Sequence, residues 1–105
     1  MHFTSFLEEG RLTVALDGEI DHHRAKSYIQ AIAAKIEAYK PKVCVLSFRD
    51  VSFMDSSGIG LILGRNTMMK VLGGKLAIQN PPVQAVRILR LAQIPVEIVQ
   101  EVTTR

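Results

Sequence analysis

Apolar residues follow two rhythms along this chain, and the changes between them predict its elements. Leu12, Val14 and Leu16 alternate with Thr13 and Ala15, the period of two expected of a half-buried strand. With His2 to Leu7 before it and the turn Glu8-Glu9-Gly10 between, this reads as an antiparallel hairpin. Asp17-Gly18-Glu19 carries turn chemistry and predicts its end. The spacing then lengthens. Ala25, Ile29, Ile32, Ala33, Ile36 and Tyr39 recur at helical steps, with Arg24, Lys26, Gln30, Lys35 and Glu37 on the other side. Asp21 is placed to cap this helix, which begins near His22, and Pro41 marks its end.

Val43 to Phe48 is a nearly continuous apolar run rich in β-branched residues, the pattern of an interior strand. Ile59, Ile62, Leu63, Met69 and Leu72 form a second helical stripe that stops at Gly73-Gly74. Lys75 to Ile78 is a short strand, and Asn80-Pro81-Pro82 opens a third helix. There Pro82, Ala85, Val86 and Leu89 share a face from which Arg87 and Arg90 point away. Pro95 introduces a last strand, Val96 to Val99, expected at an edge, and the polar tail from Gln100 to Arg105 is expected to fray. The order β-β-α-β-α-β-α-β predicts one α/β domain spanning residues 1–105, its mainly parallel sheet of about five strands packed against helices. Loops at the carboxyl ends of parallel strands gather at one end of such a sheet. Asp21-His22-His23 is therefore expected near Asp55-Ser56-Ser57.

Composition narrows the function. A chain of 105 residues, 48% of them hydrophobic, suits a single core. Its one cysteine, Cys44, falls in the apolar run, which excludes an internal disulfide and suits a reducing cytoplasm. The amino terminus lacks the pattern of a signal peptide, and no apolar run is long enough to span a bilayer, so a soluble cytoplasmic protein is expected. The net charge of +3 is scattered, aromatics are 6% and tryptophan is absent. Direct nucleic-acid binding is not expected from such a surface.

The unusual stretch is Asp55-Ser56-Ser57-Gly58-Ile59-Gly60, at the junction of the central strand and the second helix. An acid and two hydroxyls stand where free backbone N–H groups need acceptors. Two glycines, poor helix formers, suggest a close approach to the backbone. A serine hydrolase built from Ser56 or Ser57 with His22 or His23 lacks the Gly-x-Ser-x-Gly context. A metal site from Asp21, His22, His23 and Asp55 lacks supporting spacing. The run from Gly58 to Gly64 has one residue too many for a dinucleotide fingerprint, and helix–sheet packing accounts for Gly64 more simply. No cofactor, metal or catalytic residue is implied. A phosphorylation switch uses every feature of the stretch. The helix start stabilises a phosphoserine, while about −1.5 to −2 added charges beside Asp55 disturb any partner surface. Nothing in the residues chooses between Ser56 and Ser57.

Gly18-Glu19-Ile20-Asp21-His22-His23 together with Val51 to Gly60 resembles the STAS domain, and more narrowly the bacterial anti-sigma factor antagonists. His22-His23 and Leu63-Gly64-Arg65 most resemble the sporulation branch, typified by stage II sporulation protein AA. The resemblance implies the STAS fold and a binding module rather than an enzyme. Its partner is an anti-sigma factor that is also a serine kinase, with bound ATP or ADP, whose capture releases a sigma factor. The first serine of the motif, here Ser56, is the one phosphorylated, and a PP2C-type phosphatase reverses the change. Ser57 then caps or shapes the turn, and Asp21 meets the kinase. Partner contacts are thus expected from Asp21, His22, His23, Asp55, Ser56, Ser57, Gly58, Ile59 and Gly60. A STAS-like scaffold or transporter-regulating module without a phosphoswitch is the alternative. Two departures stand out. Family members usually continue into a final helix, whereas six residues follow Val99 here. Asn66 and Met68-Met69 replace a more polar pattern on the helix's exposed side, where Met68 is a candidate partner contact.

Overall fold

The computed structural model describes residues 3–100. Five strands and three helices follow one another as β1 (Thr4–Glu8), β2 (Arg11–Ile20), α1 (His22–Tyr39), β3 (Val43–Met54), α2 (Ser56–Val71), β4 (Lys75–Gln79), α3 (Val83–Leu91) and β5 (Glu97–Val99). The strands lie in sequence order in one sheet, with β1 antiparallel to β2 and every other pair parallel. Each parallel step moves the same way across the sheet, so right-handed crossovers place all three helices on one face. Leu12, Val14 and Leu16 of β2, Cys44, Leu46 and Phe48 of β3, and Leu76 and Ile78 of β4 point into that layer. They meet Tyr28, Ile32 and Ile36 of α1, Leu61, Ile62 and Met69 of α2, and Leu89 of α3.

The β1–β2 connection is a two-residue turn closed by the Glu8–Arg11 pair. Glu9 and Gly10 both have positive φ, 52° and 77°, the geometry whose twist suits a hairpin. His2, included in the expected first strand, and residues 101–105, most of the expected polar tail, lie outside the described residues. So does any segment in which the family's final helix would be sought.

Two strands run further than their composition suggests. Asp17-Gly18-Glu19 does not end β2, which continues to Ile20, and β3 continues past Phe48 to Met54. Pairing with β1 stops at Ala15 and pairing with β4 stops at Ser47, so β2 and β3 project as a two-stranded ribbon. Its outer positions need not be apolar: Arg49, Asp50 and Ser52 are exposed, with Phe53 an exposed apolar residue among them. Register shifts at Ala15/Asp17 and Gly18/Glu19 bulge the ribbon, and Gly18, at φ 71°, supplies a backbone conformation other residues rarely adopt.

Both main helical stripes keep most of their expected members, with Ala25, Ile32 and Ile36 of α1 and Ile59, Ile62 and Met69 of α2 buried, and differ at their margins. In α1, Tyr28 is fully buried while Tyr39 is 50% exposed. In α2, Leu61 and Asn66 are buried, Met69 is in the core, Met68 packs against it and Leu72 is 42% exposed. Asn66 and Met68-Met69 are therefore inward-facing or half-covered, not an exposed partner surface. Gly64 is also reassigned: a Cβ there meets nothing within 4 Å, so helix–sheet packing does not require glycine.

Candidate functional site

The projecting ribbon delivers two helix starts to the same place. Ile20 ends β2 opposite Met54 at the end of β3, and the Asp55 N–H donates to the Ile20 carbonyl at 3.2 Å. Each strand is followed at once by an aspartate in extended conformation that caps the next helix. Asp21 Oδ1 accepts from the Arg24 N–H at 2.8 Å, and Asp55 Oδ1 accepts from the Ser57 N–H at 2.8 Å. These are N-caps that satisfy donors a helix leaves open at its start. The cap of α2 is therefore Asp55, not Ser57. The Arg24 N–H, by bonding the ionised carboxylate, holds Asp21 below its ordinary pKa, and the nearby His23 adds to the effect.

Arg24 also ties the ribbon to α1. Its Nη1 donates to the Glu19 carbonyl at 3.1 Å. Its Nη2 reaches Asp17 Oδ1 at 3.2 Å and the Tyr28 hydroxyl at 2.8 Å. A Cβ on Gly18 would stand 2.6 Å from the same guanidinium, so glycine admits this clamp by its size as well as its backbone angle. The clamp escapes a reading by hydrophobic stripes because Arg24 and Asp17 are partly exposed polar residues. Tyr28 carried a usable signal, since it lies three residues after Ala25 and four before Ile32.

The two loops touch through His22 and Ser57, whose Nδ1 and Oγ are 3.4 Å apart. Both side chains line a small apolar groove with Ala25, Lys26 and Ile29. Of the nine expected contact residues, Asp21, His22, His23, Ser56 and Gly60 are exposed, and Asp55 and Ser57 are half-buried. Gly58 and Ile59 are buried and hold the turn from within. Ser56 is the first residue of α2, and its hydroxyl makes no hydrogen bond to another described residue. A Cβ at Gly60 would meet nothing within 4 Å, which leaves its backbone open to an approaching molecule.

Other chemistries find less here. His22 and Ser57 form a dyad without a carboxylate on the imidazole's other nitrogen among the described residues. Among the same residues no group of three or more His, Cys, Asp or Glu side chains is arranged to hold a metal ion. No described helix is long and apolar enough to cross a membrane.

The STAS domain model matches residues 7–104. The chain belongs to the STAS family. It is 41% identical over 76 residues to the anti-sigma F factor antagonist of Paenibacillus polymyxa. That match covers 70% of this chain and 65% of the relative, so just under two thirds of the relative's length is spanned. The anti-sigma factor antagonist SpoIIAA in its unphosphorylated form superposes with a TM-score of 0.77 at 25% identity, covering 98% of this chain and 90% of that one. The phosphorylated form of SpoIIAA from Bacillus gives 0.81 at 24% identity, with 96% and 92% covered, a likeness of fold.

Proposed function

We propose that this STAS domain is an anti-sigma factor antagonist switched by phosphorylation of Ser56. Unmodified, its loop end captures an anti-sigma factor that is itself a serine kinase carrying ATP or ADP, and a sigma factor is released. The proposed contact surface is Asp21, His22, His23, Ser56 and Gly60, shaped by Asp55, Ser57, Gly58 and Ile59. The kinase transfers the γ-phosphoryl group of ATP: the Ser56 Oγ–P bond forms as the bond to the β-phosphate oxygen breaks. ADP leaves with that electron pair and the hydroxyl proton passes to a base of the kinase. A PP2C-type phosphatase restores the serine. The chain does no chemistry of its own in this scheme, needs no cofactor, and acts in the cytoplasm in the control of sporulation.

The observation that carries this reading is the state of Ser56. It is exposed, free of side-chain hydrogen bonds within the described chain, and next to an aspartate that already caps the helix. A phosphate there lies at the positive end of α2, so the fold accepts it. The same phosphate adds about −1.5 to −2 charges beside Asp55 on the surface a partner must cover. A change of about 3 kcal/mol in the contact weakens binding more than a hundredfold. The antagonist names of the relatives, and the two phosphorylation states of SpoIIAA on this fold, support the assignment.

The test is phosphopeptide mass spectrometry after incubation with the cognate anti-sigma kinase and Mg-ATP, with the complex followed by size-exclusion chromatography. Phosphate on Ser56 with loss of the complex is expected. A stable complex that never acquires phosphate would instead identify a STAS scaffold without a switch.

A further inference from the structure

We propose that His22 is a specificity-determining residue: it withholds Ser57 from the kinase and so directs phosphate to Ser56. This rests on the phosphoswitch read above. Two adjacent serines of equal intrinsic chemistry stand at the head of α2, and the fold treats them differently. Consecutive helix positions point about 100° apart, so the two hydroxyls cannot face one partner alike. Ser57 is half-buried and turned toward α1, where its Oγ lies 3.4 Å from His22 Nδ1. It shares a groove lined by Ala25, Lys26 and Ile29. Ser56 is exposed and makes no side-chain hydrogen bond within the described chain.

A histidine beside a serine invites the opposite conclusion, that His22 activates Ser57 as a nucleophile. Phosphoryl transfer argues against it. Its transition state is loose, with little bond formation to the attacking oxygen, so placement in line with the γ-phosphate governs the rate more than nucleophile activation. To enter a kinase site Ser57 must give up its contact with His22 and rotate out of the groove, whereas Ser56 needs no such step. In either case the chemistry balances identically: one serine O–P bond replaces the bond to ADP, and the hydroxyl proton goes to a kinase base. Only the choice of oxygen differs. His22 owes its position to Asp21, which caps α1 and fixes the first turn from which the imidazole reaches across.

The experiment measures initial rates of phosphate incorporation at each serine, by site-resolved mass spectrometry, with the cognate anti-sigma kinase and Mg-ATP. Four chains are compared: the parent, Ser56→Ala, Ser56→Ala/His22→Ala and Ser56→Ala/His22→Asn. Loss of one neutral hydrogen bond changes an equilibrium by roughly two- to tenfold. Ser57 phosphorylation is therefore expected to rise by roughly that factor from Ser56→Ala to Ser56→Ala/His22→Ala. Asparagine, whose amide can stand in for Nδ1, is expected to hold the rate near that of Ser56→Ala. Rates are normalised to kinase binding measured by titration calorimetry, so weakened docking is not mistaken for selection. An unchanged or lower Ser57 rate with alanine at position 22 overturns the proposal while leaving the switch standing. No phosphate on either serine of the parent chain overturns the switch and the selection together.

Discussion

A Cβ on Gly58 would stand 2.8 Å from the sulfur of Met54 and 3.2 Å from its Cβ. The last residue of β3 thus packs against the first turn of α2, and the turn that presents Ser56 closes only because position 58 has no side chain. Met54 can swing its sulfur and terminal methyl aside, but its Cβ is fixed to the backbone. Gly58→Ala is expected to cost about 1–3 kcal/mol in urea denaturation, the usual range for overpacking. Gly60→Ala, on the open side of the same turn, is expected to raise stability by up to about 1 kcal/mol because alanine is the better helix former. Equal losses at the two positions would sink this account of the turn.

Gly74 makes a harder constraint at the opposite end of the molecule. A Cβ there would lie 2.6 Å from the Lys42 carbonyl oxygen and 3.2 Å from its carbon. That carbonyl is held in place by the Lys75 N–H at 3.0 Å, where β4 enters beside β3. Backbone cannot yield as a methionine tip can, so Gly74→Ala is expected to cost at least as much as Gly58→Ala, about 3 kcal/mol. Thermal unfolding of the two variants side by side checks the ranking; a milder effect at Gly74 would contradict it.

The element order, the three helices and the Asp21 cap were legible because each has a local signature in spacing or capping chemistry, whereas the second cap had three candidate acceptors in Asp55, Ser56 and Ser57. What escaped depended on contacts between distant segments. The ends of β2 and β3 were hidden because Arg49, Asp50 and Ser52 need not be apolar in a ribbon with no neighbours beyond Ala15 and Ser47. The Arg24–Asp17–Tyr28 clamp joins β2 to α1 through polar atoms that a hydrophobic stripe does not register. Asn66 is a polar residue on an inward face, where the pattern misleads outright. For the site, motif order brought Asp21-His22-His23 to Asp55-Ser56-Ser57. Only the folded structure distinguishes a serine whose hydroxyl meets His22 from one whose hydroxyl makes no hydrogen bond to the described residues.

Cys44 links the core to pH. Burial pushes its thiol up to about 12 from 9.0, with the Arg65 charge pulling weakly the other way. The folded thiol therefore keeps its proton in a range where the unfolded chain has lost it. Its contribution to stability is complete below pH 9 and is lost as pH rises toward 12. Across that window the loss amounts to about 4 kcal/mol. The measurement is a difference, so that contributions common to both chains cancel: unfolding free energies from pH 8 to 11 for the parent chain and Cys44→Val. The parent is expected to fall more steeply. Parallel profiles would show that the thiol is not the group responsible.

Ser56→Asp separates a charge switch from simple damage because its two effects carry opposite signs. At the first position of α2 a carboxylate interacts favourably with the helix dipole, so the isolated domain is expected to gain about 0.3–1 kcal/mol. The same charge faces the partner beside Asp55 and is expected to weaken binding to the anti-sigma factor, though less than a phosphate, which carries about −1.5 to −2. Ser56→Ala, with no charge, is expected to bind as the parent does and to remain free of phosphate at that position. Chemical denaturation measures the first effect and calorimetric titration the second, both at low ionic strength, where exposed charges are least screened. A variant that is more stable yet binds poorly supports charge as the switch. If Ser56→Asp binds like the parent, charge alone does not break the complex, and the bulk of the phosphate becomes the cause to test.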